Sequence, residues 1–206
     1  MSNKFYDITF TEDVKAAQEH YGSRRQYERI RSLSDGNTVL SDAETDFIEQ
    51  RDGFYMATVG ADAQPYIQFR GGNVGFLKVL DEKTIAFADF RGNLQYISVG
   101  NLRGENKKAA LFLMDYENRR RLKILAETEV KDASDAPELI AKLKDENYKA
   151  KIERAIIFHV KAFDWNCPQH ITPRYTLKEI RLMVQPLNDH IEKLEREIEK
   201  LKAEKL

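Results

Sequence analysis

The spacing of apolar positions changes character three times along the chain. Residues 11–33 carry Val14, Ala17 and Tyr21, then Tyr27 and Ile30, at the three- and four-residue steps of one or two amphipathic helices. Ser41 and Glu44 form a Ser-x-x-Glu capping box that opens SDAETDFIEQR, with Phe47 and Ile48 as its apolar face. From Phe54 the period shortens to that of strands. FYMATVGADAQPYIQFRGG predicts two strands around a turn that ends in Pro65, and GFLKVLDEKTIAFADF predicts a hairpin turning at Asp81–Lys83. Leu94, Ile97 and Leu102 predict a short helix opening at Asn93, and KKAALFLMDY, RRLKILAETEVK and RAIIFHVKAFDW predict further strands. A helix with Pro137 in its first turn lies among them. Six or seven strands with few helices between them predict an antiparallel barrel with helical trim.

The third pattern is in the tail. Leu177, Ile180, Val184, Leu187, Ile191, Leu194, Ile198 and Leu201 alternate steps of three and four. After the first turn one seam position is β-branched and the other is leucine, the combination that favours a parallel pair of helices. Pro186 should break or kink the helix, so its strong part is expected from about Leu187. Self-association and packing on the body of the protein both remain open. The expected organisation is an N-terminal helical segment over 1–52, a β domain over 53–176 and the heptad helix over 177–206.

Composition narrows the function classes. With 33 Lys and Arg against 34 Asp and Glu, net charge is −1, so no global field attracts nucleic acid or an anionic membrane. No run approaches the ~18 apolar residues of a membrane span. The opening MSNKFYDITF lacks an apolar signal region, and a single cysteine forms no internal disulfide; a reducing cytoplasm is the expected setting.

Candidate chemistry lies in three stretches. FDWNCPQHITPRYT (163–176) holds the only Trp, the only Cys and a nearby His. Cys167 and His170 are half a zinc site, which wants four protein ligands, and no second Cys exists, so no metal is expected. A nucleophilic dyad would need a third, orienting group, and Cys167 reads better as a small apolar side chain in a proline-stiffened loop. FADFRGNLQYISVGNL (87–102) places a strand, Arg91–Gly92 and a helix start in succession, an arrangement that suits a phosphate; Asn93, Gln95 and Tyr96 could hydrogen-bond one. QFRGG (68–72) ends a strand on Arg70, a fork for phosphate or carboxylate, before two glycines that allow close approach. Arg119 and Arg120 in RRRLKI read as a solvated run.

The order PYIQFRGG, GFLKVLDEKTIAFADF, RGNLQYISVGNL, AALFLMDY, RRLKILAETEV and FDWNCPQHITPRYT resembles the pyridoxamine 5′-phosphate oxidase-like family of FMN-binding split barrels, in an uncharacterised bacterial branch, over roughly 45–176. The resemblance implies a mainly β fold with α: a six-stranded antiparallel split barrel with N-terminal helices and a long C-terminal helix. It implies a homodimer with FMN at the interface and an oxidoreductase passing electrons to or from a small organic molecule, with a nicotinamide as a possible donor. Carried over, Arg70 matches a phosphate arginine, with Gln68, Gly71 and Gly72 beside it. Ala88, Asp89 and Phe90 match the strand along the flavin, and Arg91, Gly92, Asn93, Gln95 and Tyr96 match the phosphate clasp. Gln169, His170 and Arg174 could reach the ring or its phosphate, and Trp165 and Tyr175 offer aromatic faces. The sequence departs from the oxidase: Gly75 stands where its second cation would follow Arg70, and the clasp has become Asn93-Leu94. These departures point away from pyridoxamine 5′-phosphate as substrate. The alternative is a non-catalytic flavin, deazaflavin or haem binding protein, a redox or stress sensor, with His159 or His170 as an axial ligand in the haem case.

Overall fold

The computed structural model describes residues 3–33, 36–165 and 168–204. Its chain divides into two compact units, Met1–Asp115 with Arg120–Pro168, and Tyr116–Arg119 with Gln169–Leu206. Cys167 lies outside the described residues.

The first unit begins with four helices: α1 (Lys4–Thr9), α2 (Glu12–His20), α3 (Arg24–Leu33) and α4 (Asp42–Glu49). Asn3 and Thr11 cap the first two with side-chain oxygens that accept from Tyr6 N and Val14 N. At α4 the capping box forms as the sequence predicts. Its Glu44 also accepts a 2.7 Å hydrogen bond from Trp165 Nε1, and Phe47 meets the Trp165 ring edge-on at 4.7 Å. Phe47 and Ile48 are buried, so α4 covers one end of the core.

Seven strands follow among the described residues: β1 (Gly53–Val59), β2 (Pro65–Gly71), β3 (Lys78–Asp81), β4 (Thr84–Phe90), β5 (Lys108–Asp115), β6 (Arg120–Asp132) and β7 (Ile152–Trp165). They form one antiparallel sheet in the order β2-β1-β5-β6-β7-β4-β3, with α5 (Ile97–Arg103) before β5 and α6 (Pro137–Leu143) before β7. The β3–β4 turn is set by Asp81, whose carboxylate accepts from Lys83 N at 2.8 Å.

The sheet is strongly curled. Four inter-strand steps separate β1 from β4, which on a flat sheet would be about 19 Å. Yet the rings of Phe54 (β1) and Phe87 (β4) have centroids 5.5 Å apart, and Phe54 also meets Phe158 of β7 at 6.3 Å. The core therefore fills the inside of the curl, where Met56, Leu77, Ile85, Leu111, Leu113 and Ile124 are buried. Alternation is regular on β1 and β5, as one buried face requires.

In the second unit, α7 runs unbroken from Leu177 to Ala203. Thr176 and Glu179 close a second capping box at its start. The expected break at Pro186 does not occur. A proline inside a helix removes one backbone bond, and the 27-residue helix carries that loss without ending. None of its described residues is buried.

Candidate functional site

Strand β2 has its polarity reversed. Tyr66, Gln68 and Arg70 point inward while Ile67 and Phe69 face solvent, 62% and 57% exposed. The curl brings these inward side chains onto β4 and α5. Gln68 Oε1 accepts from Ser98 Oγ of α5 at 3.0 Å, and Asn101 Nδ2 donates to Thr58 Oγ1 at 3.0 Å. Arg70 Nη1 donates to Asp89 Oδ1 of β4 at 3.0 Å.

Asp89 is buried, and its second oxygen accepts from Arg154 Nη1 at 2.5 Å. The β4–β7 register places Arg154 directly across from Asp89 and then slips, pairing Phe90 with Ile152. Glu153 is the extra residue of that bulge, so consecutive residues Glu153 and Arg154 both line one cleft. Glu153 Oε2 accepts from Arg154 Nη2 at 2.6 Å, and its other oxygen accepts from Tyr96 Oη at 3.3 Å and lies 3.7 Å from Arg91 Nε. Arg154 also sits 5.2 Å from the Tyr96 ring centroid. Burial disfavours the Arg154 cation, but the hydrogen bonds and charges of Asp89 and Glu153 outweigh it and hold the guanidinium above its ordinary range.

These side chains wall a small cleft of about 40 Å³. Gln68, Arg70, Asp89, Phe90, Gly92, Asn93, Gln95 and Tyr96, all expected from the sequence, line it together. Its charged lining residues are two arginines and two carboxylates, paired with one another, and the half-exposed Arg91 lies 3.7 Å from Glu153 at its edge. Arg70 uses one of its five N–H groups on Asp89. The buried Nε of Arg70 and of Arg154 have no acceptor. Arginine donors to spare fit an anionic group.

Several expectations land elsewhere. The helix expected from Asn93 opens at Ile97. Asn93 Oδ1 instead accepts from Gln95 N at 3.1 Å, and Leu94 and Tyr96 take positive φ values of 64° and 54°, which no helix accommodates. The feature is thus a tight turn that leads into the start of α5, whose N-cap Tyr96 and first residue Ile97 also line the cleft. Gly71 and Gly72 are shaped by packing: a Cβ on Gly71 would lie 2.9 Å from the Phe69 ring, and one on Gly72 would lie 2.7 Å from Phe76 Cγ. Around Gly92 the same position is open. Arg91 is half exposed. Trp165 presents no free face; it is committed to Glu44, Phe47 and the Arg120 guanidinium at 4.7 Å. His159 is exposed on β7, 3.9 Å from Glu129. Gln169, His170 and Arg174 belong to the second unit, where Arg174 lies 5.0 Å from the Tyr116 ring centroid and His170 has a φ of 62°.

Arg154 and Glu153 were not singled out from the sequence. The usable signal was an arginine near the start of a strand, RAIIF, whose next four residues are all suited to the core.

No family model and no curated protein matches the chain. Solved structures similar to it are pyridoxamine 5′-phosphate oxidase-family and FMN-binding proteins among others. A putative pyridoxamine 5′-phosphate oxidase from Lactobacillus delbrueckii is 21% identical, covering 62% of this chain and 94% of that one, with a TM-score of 0.47. HupZ of Group A Streptococcus is 16% identical over 66% and 99%, TM-score 0.46. An FMN-binding protein from Syntrophomonas wolfei is 16% identical over 72% and 97%, TM-score 0.45.

Proposed function

We propose that this chain is an FMN-binding oxidoreductase whose cleft between β2, β4 and the 91–96 turn holds the flavin's phosphate end. The observation that carries the reading is the pair of arginines, buried Arg154 and partly buried Arg70, clamped on Asp89 with donors left over. The order of motifs along 45–176 supplies the second support. In this reading the curled sheet is a split barrel. Arg70 and Arg154 would bind the phosphate, Asn93 and Gln95 would orient the ribityl chain, and the 91–96 backbone would exclude water from one side. Asp89 would fix both guanidinium planes so that little reorganisation accompanies binding. FMN, when bound, supplies hydride or single-electron transfer; the protein supplies position and charge. Both carboxylates of the cleft are occupied by arginines, so no side chain there is set aside as an acid or base.

The reversed polarity of β2 supports a homodimer. Ile67 joins Tyr55, Ala57, Ala110 and Phe112 around an apolar groove on the outer face of β1, β2 and β5, and the exposed Phe69 packs edge-on against Tyr55 beside it. Such a surface is of the kind that a second subunit covers. The substrate would be a small organic molecule, with a nicotinamide nucleotide as donor, and the cytoplasm is the proposed setting.

The test is optical. Purified protein should carry flavin absorption or acquire it on titration with FMN, and NADH or NADPH should bleach it. A colourless protein that FMN does not reconstitute would overturn the reading, and a flavin that no donor reduces would leave a binding protein in place of an enzyme.

A further inference from the structure

We infer that α7 pairs with α7 of a second copy as a parallel, in-register two-stranded coiled coil. The helix spans about 40 Å and presents an uninterrupted stripe of eight apolar seam positions. All eight are at least 38% exposed, and none of the helix's described residues is buried. From the second heptad onward Val184, Ile191 and Ile198 alternate with Leu187, Leu194 and Leu201. β-Branched residues at the first position and leucine at the second fit the knobs-into-holes geometry of two parallel strands.

The flanks of the stripe choose the orientation. In a parallel, in-register pair each flanking residue faces the residue five further on in the other helix. Glu197 then faces Lys202 of the second copy, His190 faces Glu195, and Met183 faces Asn188, each pair twice by symmetry. No like charges meet. Antiparallel pairing in full overlap would instead set Arg181 against Lys202 twice. Pro186 is compatible with pairing. It lies off both the seam and its flanks, so the carbonyl it leaves without a backbone donor faces water rather than the partner. Continuity of the helix through Pro186 lets the stripe run four heptads rather than two.

The inference does not depend on the flavin reading, and its test reads something else. In a full-length Cys167→Ser background, Leu194→Cys should form a same-residue disulfide readily in air, while Arg196→Cys, on the outer face, should not. Glu197→Lys sets lysine against Lys202 and should lower the effective concentration of the 194–194 disulfide against glutathione roughly tenfold. Adding Lys202→Glu should restore it, a rescue that loss of folding would not give. Equal crosslinking at 194 and 196 overturns the inference. So does a disulfide joining a Leu177→Cys chain to a Leu201→Cys chain without the 194–194 bond, because that is antiparallel pairing. Colourless protein that still gives the 194–194 bond would sink the flavin reading alone.

Discussion

Arg70 of β2 and Asp89 of β4 meet at 3.0 Å although five inter-strand steps separate their strands in the sheet. On a flat sheet that separation would be about 24 Å. The two ends of the sheet are thus joined by side chains, and Asp89 also holds Arg154. Replacing Asp89 by Asn leaves the buried Arg154 and the partly buried Arg70 without their shared anion. Asp89→Asn should therefore lower unfolding free energy by about 3 kcal/mol or more, read from urea denaturation.

The same pair of arginines is the proposed phosphate seat. Arg70→Ala and Arg154→Ala should each weaken FMN binding about 10- to 100-fold, the range of one lost charge-assisted hydrogen bond, in a fluorescence-quenching titration. Arg91→Ala, whose side chain is half exposed and 3.7 Å from Glu153, should cost less than either. An equal loss at all three positions would argue against the two-arginine seat.

Two glycines that look alike in sequence should behave differently. A Cβ on Gly72 runs into Phe76, whose ring belongs to the core, so Gly72→Ala should cost about 1–3 kcal/mol of stability. Gly92 has open space at that position, and Gly92→Ala should change stability by no more than about 0.5 kcal/mol. If backbone approach by a ligand is what Gly92 permits, its variant loses FMN affinity while thermal denaturation of the apo protein stays put.

Acid should loosen the α4 end of the core. Burial raises the Glu44 pKa, but hydrogen bonds from Ser41 and Trp165 outweigh it and leave the carboxyl below its ordinary 4.5. The folded chain then releases this proton at lower pH than the unfolded chain does. The stabilisation is complete above about pH 4.5 and is lost as pH falls through the folded value. Glu44→Gln should flatten that part of the acid limb of a stability–pH profile, and Trp165 fluorescence should report the change.

Local chemistry was legible in the chain wherever neighbours in sequence are neighbours in space. Ser41 and Glu44 announce their capping box three residues apart, and Asp81 announces the β3–β4 turn. Arg70 stands out because a charged residue at a strand end before two glycines has few structural uses. The Arg154 half of the site was not legible, because its partner Asp89 lies 65 positions away in sequence. Only the β4–β7 register, with a bulge at Glu153, puts them side by side. The 93–96 turn misled for the opposite reason: Leu94 and Ile97 carry helical spacing, but the Asn93 side chain captures Gln95 N first. Pro186 misled by propensity, which a long helix can absorb at a single exposed position.

The sheet's two ends share no backbone ladder; β2 pairs only with β1, and β3 only with β4. Its closure is a clasp of a few charged and polar side chains, so parting β2 from β4 breaks no strand pairing. The least costly collective excursion of this fold is then an opening at that line, with the rest of the sheet intact. Amides on the free edge of β2, which the β1 ladder does not hold, should exchange with solvent well before those of β6 and β7. An anion spanning Arg70 and Arg154 would slow them, which makes the ligand a fastening of the fold as well as its cargo.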